Sequence, residues 1–215
     1  MSDWSLDFYY RRLSRDPEFE ITKTMLHNAG IGRSYWRANI DKIPNGCAYK
    51  EQMKGMISTL PEDCSRGKGA IFHGNHGYGK TSAACVMLKA AMVRGGHCFH
   101  RLAGSIEHAY EKRWLETNLD GVQVWDLLTQ QQLVTLDDLG QEQAAAGYKA
   151  GDIRIIEELI RSRYDRKLPT YITTNLPIAE LGKQYPTIGR IFYDSKRYHL
   201  VKVDGHFWSN DKEEF

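Results

Sequence analysis

Gly74-Asn75-His76-Gly77-Tyr78-Gly79-Lys80-Thr81 places glycines, a lysine and a hydroxyl in the order G-x-x-x-x-G-K-[ST]. Glycines let a backbone curl until successive N–H groups converge on one point, which suits an anion with several oxygens. The lysine adds a mobile positive charge, and the threonine hydroxyl is a ligand for a hard cation such as magnesium. Apolar Ala70-Ile71-Phe72 precedes the run, and an Ala-, Leu- and Met-rich stretch from Thr81 to Val93, stopped by Gly95-Gly96, follows it. The loop therefore joins a strand to a helix, and the helix dipole faces the same anion. This pattern predicts a site for a nucleoside triphosphate, ATP with Mg2+. It would be lined by Gly74, Asn75, His76, Gly77, Tyr78, Gly79, Lys80, Thr81 and Ser82, with Lys80 on the β- and γ-phosphates and Thr81 on the metal.

Two further features join that site if the strands run parallel. Leu133-Val134-Thr135-Leu136 is an apolar strand ending in Asp137-Asp138. In a parallel sheet its carboxyl end opens on the same edge as the glycine-rich loop. Asp137 is then the magnesium acid, and Asp138 is placed to orient or deprotonate an attacking water. The strand Thr170-Tyr171-Ile172-Thr173-Thr174 ends at Asn175-Leu176-Pro177, and a neutral amide there can position water without adding negative charge.

Strands must hold these groups and helices must separate the strands. Cys98 to Leu102 is a strand, followed by a helical stretch from Ser105 to about Glu116. Ile153 to Tyr164 carries Ile155, Ile156, Leu159 and Ile160 at helical spacing, and Tyr198 to Val203 forms a fifth strand. Before the loop, Tyr49 to Ser58 reads as a helix, with Pro61 and the glycines Gly67 and Gly69 as a break. The alternation predicts an α/β fold with a parallel sheet covered on both faces. At 215 residues the chain can bury one sizeable core. Cys47, Cys64, Cys85 and Cys98 have neither zinc nor disulfide spacing, so His97-Cys98-Phe99-His100 reads as a core strand rather than a metal site. No run of roughly 18 apolar residues is present to span a membrane, and the N-terminus is too polar for a signal peptide. The expectation is a cytoplasmic protein. A formal net charge of +2 leaves any nucleic-acid surface to a local patch.

Taken together, these residues resemble AAA+ ATPases of the DnaC/IstB-like group, which includes bacterial and phage replicative-helicase loaders and transposition helpers. The resemblance runs from about Ala29 to Phe207. It comprises Ala29-Gly30-Ile31-Gly32-Arg33-Ser34-Tyr35, the P-loop, Leu136-Asp137-Asp138-Leu139-Gly140, Ile160-Arg161-Ser162-Arg163-Tyr164 and Lys167 to Leu176. It implies a P-loop NTPase with an AAA+ core, a five-stranded parallel sheet between helices, the lead-in segment near the adenine, and a sensor-1 role for Asn175. It also implies an arginine finger acting on a neighbouring subunit's γ-phosphate, hence self-association. Arg190, in Gly189-Arg190-Ile191-Phe192, is the candidate and Arg197 the alternative. Trp208 stands about where the family has a sensor-2 arginine, so no substantial C-terminal lid is expected.

The implied domains are a helical N-terminal segment over 1–28, an AAA+ domain over 29–208 and a tail over 209–215. In the first, Trp4, Phe8, Tyr9 and Tyr10 with Arg11 and Arg12 either anchor a partner or pack back on the core. Loaders of this kind contact single-stranded DNA through a helical element after the second strand, which here offers Lys112, Arg113 and Trp114. The implied function is loading or remodelling of a hexameric replicative helicase on DNA by an oligomeric ATPase. Alternatives are a transposition helper, a small-molecule P-loop kinase and an adaptor that holds ATP without turnover.

Overall fold

A computed structural model of the chain describes residues 20–140 and 150–204. The elements in chain order are α1 (Lys23–Asn28), α2 (Ala48–Ser58), α3 (Leu60–Ser65), β1 (Gly69–His73), α4 (Lys80–Val93), β2 (Cys98–Leu102), α5 (Ile106–Glu111), α6 (Val124–Gln130), β3 (Leu133–Asp137), α7 (Ala150–Asp165), β4 (Thr170–Thr174), α8 (Ile178–Gln184) and β5 (Tyr198–Lys202). The strands form one five-stranded sheet in the order β2-β3-β4-β1-β5. Each adjacent pair is parallel. Trp4 to Arg12 and Trp208 lie outside the described residues. No helix among the described residues is long and apolar enough to cross a membrane.

Side-chain alternation along each strand divides the core in two. Ala70, Phe72, Tyr171 and Val201 face a cluster built with α2, α3 and α4, while Ile71, Val134, Leu136 and Ile172 face one built with α5 to α8. The inner strands β1, β3 and β4 are buried on both faces, which favours uncharged, largely apolar runs, whereas the edge strands β2 and β5 carry exposed Leu102, Leu200 and Lys202.

The structure corrects the sequence reading at two elements. Pro61 does not break the chain; it occupies the first turn of α3, where its missing N–H is needed by no intrahelical bond. The stretch after Ser105 leaves the helix at Glu111, well short of Glu116. Glu116 is instead held at the sheet by Arg101, at 2.7 Å, and its carbonyl accepts from Val124 N at 2.9 Å. Those two bonds turn the chain back toward α6, and a further helical turn would break them.

Arg163, within one of the motifs above, is completely buried on α7 with no carboxylate partner among the described residues. Its guanidinium donates to Thr170 Oγ1 (3.0 Å) and to the carbonyls of Leu128 (3.0 Å), Gln131 (3.0 Å) and Pro169 (2.9 Å). It thereby ties the C-terminus of α6, the start of β4 and α7 into one unit. Burial lowers its pKa to about 9, still well above neutrality. Only a planar fork reaches these acceptors together. Arg163→Leu, which leaves them without a donor, is expected to destabilise the fold by about 3 kcal/mol or more, at about 1–3 kcal/mol per orphaned buried group. Arg163→Lys should recover little of this; urea unfolding of the three proteins measures it.

Asp63 on α3 joins the edge strand β5. Its Oδ2 accepts from Thr59 Oγ1 at 2.9 Å and lies 2.9 Å from His199 Nε2. Burial raises its pKa, but the bonds from His199 and Thr59 and the charges of His199 and Lys68 outweigh burial and leave it below the ordinary value. A depressed carboxylate pKa contributes stability above the unfolded value, and that stability disappears as pH falls through the folded value. Asp63→Asn should therefore lower the unfolding midpoint at about pH 7, and the gap to wild type should close towards roughly pH 3. A gap that is independent of pH would exclude this linkage.

Candidate nucleotide site

The P-loop sits between β1 and α4, at the carboxyl edge of the sheet. Gly74 has φ 142°, and a Cβ there would run into the Val203 carbonyl at the end of β5. Gly79 caps α4 in the left-handed region, with φ 86°. Both positions need glycine, the first for room and the second for its backbone conformation. Asn75, His76 and Gly77 are exposed, Tyr78, Thr81 and Ser82 half-buried, and Lys80 buried. Lys80 Nζ donates to the Asn75 carbonyl at 2.8 Å, so the lysine folds back inside its own loop. Burial lowers its pKa, against the charges of Asp138 and Asp137.

Asp137, at the end of β3, is buried with 5% of its surface exposed. Its Oδ1 accepts from Thr173 Oγ1 at 2.6 Å and its Oδ2 from Thr81 Oγ1 at 3.2 Å. The two groups assigned to a metal, Thr81 and Asp137, are therefore in contact across α4 and β3. They fit a hard cation by chemistry, a hydroxyl and a carboxylate being oxygen donors.

Asp138 is one of two non-glycine residues with positive φ among those described, at 61°. Its N–H donates to Thr173 Oγ1 at 2.8 Å, and its Oδ1 accepts from Asn175 Nδ2 at 3.0 Å. A left-handed conformation is uncommon outside glycine, although aspartate tolerates it better than most residues. Here it turns the Asp138 carboxylate away from Asp137 and onto Asn175. Burial, then the neighbouring Asp137, raises the Asp138 pKa; Lys80, His76 and the Asn175 bond oppose the rise.

Arg190 is exposed and caps the short helix Ile191–Tyr193. Arg197 is engaged within the chain: its guanidinium donates to the carbonyls of Gly67 (3.1 Å) and Tyr164 (2.6 Å) and lies 4.2 Å from the Tyr164 ring centroid. It also precedes β5, at the amino edge of the sheet opposite the P-loop. Lys112, Arg113 and Trp114 lie in the turn after α5 rather than on a helix. Trp114 is 71% exposed, and Arg113 stacks on Tyr110, with its guanidinium 4.6 Å from the ring centroid.

Three residues at the site were not singled out for it by the sequence. Thr173 serves both aspartates through one hydroxyl, donating to Asp137 and accepting from Asp138. His100 of β2 is buried with Nε2 3.7 Å from Asp137 Oδ2, and burial lowers its pKa, favouring the neutral ring. Burial, then the charge of Asp137, raises the Tyr35 pKa, so the lead-in segment comes within electrostatic reach of the site. Strand register places Thr173 next to Asp137, since Leu136 pairs with Ile172. Thr173→Val keeps the shape but leaves an aspartate oxygen and an N–H without their partner. A loss of about 1–3 kcal/mol in urea unfolding is expected; an unchanged midpoint would mean the hydroxyl contributes nothing.

No protein-family model matches the chain, and no curated protein matches it. Solved structures do. The DnaC helicase loader matches with a TM-score of 0.62 at 20% identity, over 80% of this chain and 100% of that one. DnaI matches with 0.60 at 16%, over 81% and 92%. The replication initiator DnaA bound to AMPPCP and single-stranded DNA matches with 0.59 at 16%, over 79% of this chain and 50% of that one. At these identities the likeness is one of fold. With five parallel strands in the order 2-3-4-1-5 and a P-loop after β1, the chain has the AAA+ fold that it shares with these structures.

Proposed function

We propose that this chain is an ATP-hydrolysing switch that loads or remodels a replicative DNA helicase on DNA, working as an oligomer. The observation that carries the reading is the cluster at the carboxyl edge, where Thr81, Asp137, Thr173, Asp138 and Asn175 are joined by hydrogen bonds beside the P-loop lysine. The likeness in fold to the DnaC helicase loader and DnaI supports the choice of process.

The P-loop glycines and the first turn of α4 direct N–H groups at the phosphates of ATP, and Lys80 exchanges the Asn75 carbonyl for a phosphate oxygen. Thr81 and Asp137 would hold Mg2+, which would supply positive charge to neutralise the phosphates. Asp138 accepts a proton from the attacking water, and its raised pKa makes it a better base than an ordinary aspartate. Asn175, already bonded to Asp138, orients the same water. A kinase would have to keep water away from this edge, whereas the Asp138–Asn175 pair is suited to hold it. Arg190, exposed on its own subunit, serves a neighbour's site; such an arginine changes rates by about 10³–10⁵ in related systems.

The experiment is ATP turnover with helicase and single-stranded DNA present. Lys80→Ala should abolish nucleotide binding. Asp138→Asn should bind ATP but turn over at least about a hundredfold more slowly, the scale of lost general-base catalysis. Mixing Asp138→Asn with Arg190→Ala should restore part of the activity, since each supplies what the other lacks. Equal turnover by wild type and Asp138→Asn would sink the hydrolytic reading, and phosphate transfer to an acceptor other than water would favour a kinase.

A further inference from the structure

A second concave site lies away from the P-loop. It is a cavity of about 680 Å³ lined by Lys23 and His27 of α1, by Arg33 of the lead-in segment with Trp36 and Arg37 just after it, and by Leu119 of the β2–β3 crossover. Lys89 of α4 donates to the carbonyls of Tyr35, Trp36 and Ala38 and so holds this segment against the helix. No residue of the P-loop and none of Asp137, Asp138, Thr173 or Asn175 lines the cavity, which makes it distinct from the triphosphate site.

Its chemistry is mixed in a particular way. Lys23, His27, Arg33 and Arg37 are exposed, and none pairs with a carboxylate among the described residues. The Trp36 ring is held by its Nε1–H bond to the Ile31 carbonyl, at 2.7 Å, and the Arg33 guanidinium lies 5.9 Å from its centroid. Leu119 is 65% exposed. Asp120 beside it has a carboxylate oxygen taken by the Asn28 amide at 2.5 Å, a bond that also ties the crossover to α1. The same crossover carries the exposed Trp114 and Leu115.

Cations around a fixed indole and an exposed aliphatic side chain suit a ligand that alternates anionic and planar apolar groups. Single-stranded nucleic acid has that alternation, whereas a duplex hides its base faces and an inorganic anion would leave the apolar lining unused. We infer that this cavity binds a nucleotide unit of single-stranded DNA, with phosphodiesters on Arg33 and Arg37 and a base against Trp36 and Leu119. The choice of DNA rests on the replication reading above. The contact lies on the lead-in segment and α1, beyond the Lys112–Trp114 turn.

The test is fluorescence anisotropy of a labelled oligothymidylate with the full chain, over a range of salt, alongside binding of a fluorescent ATP analogue. Arg33→Glu with Arg37→Glu should weaken oligonucleotide binding at least about tenfold and flatten the salt dependence by about 1.4 in log–log slope, about 0.7 for each phosphate no longer neutralised. Melting temperature should be unchanged. Lys23→Glu with His27→Glu on α1, outside the lead-in segment and the second variant should the first fail to fold, should act in the same direction and leave ATP-analogue binding unchanged. Unchanged affinity and slope in a folded variant would overturn the proposal, as would equal binding of free thymidine monophosphate. A wild type that binds the ATP analogue but not the oligonucleotide overturns this inference alone. One that binds no nucleotide removes the ATPase reading instead.

Discussion

The Asp137 carboxylate is nearly removed from water, so its charge must be met by donors brought from elsewhere in the chain. Burying an ionised group without partners is prohibitively costly. Thr81 from the first turn of α4 and Thr173 from β4 supply two hydroxyls, and both must be in place for the end of β3 to lie where it does. That requirement fixes the angle of α4 on the sheet and the register of β3 against β4. The P-loop inherits its position from these two constraints, because it has only six residues, Gly74 to Gly79, in which to pass from β1 to α4.

Parallel topology turns this local arrangement into a site. Every strand delivers its carboxyl end to one edge, so residues distant in sequence meet without long loops. Asp138 takes the sharper part of the turn, in a conformation that most residues avoid, and the Thr173 hydroxyl and Asn175 amide hold it there. Strain of this kind persists only where surrounding bonds determine it, and it concentrates at places that work. The two adjacent carboxylates thus point to different partners, one to hydroxyls and one to an amide.

At the other edge the same sheet is anchored by groups with no part in nucleotide chemistry. Arg163 gathers the ends of α6 and β4 onto α7, and Arg197 joins the entry to β5 to the Gly67 turn and Tyr164. Arginines near one another in a sequence motif can serve opposite ends of a fold, and only their partners distinguish them. Of the two arginines considered for the finger, Arg197 is satisfied inside the chain, whereas Arg190 is exposed.

The sequence by itself determined the features whose cause is local. The P-loop is legible because its glycines, lysine and threonine act through consecutive backbone geometry. The inner strands β1, β3 and β4 are legible because burial on both faces demands largely apolar runs, and Asp137-Asp138 stands out as a polar stop after one of them. The tertiary structure alone decided what depends on register and on cross-strand contact. Thr173 is one of three threonines in Thr170-Tyr171-Ile172-Thr173-Thr174, and nothing in that run says which hydroxyl meets Asp137. His100 reads as part of an apolar strand until β2 lies beside β3. The helical spacing after Ser105 predicts a longer helix than forms, because Arg101 and Val124 claim Glu116 from outside the segment. Pro61 reads as a break for the same reason: its role depends on where the helix begins, which the packing of α3 against the sheet sets. Local preference writes the elements and the loop, and contacts between distant residues choose among the options that preference leaves open.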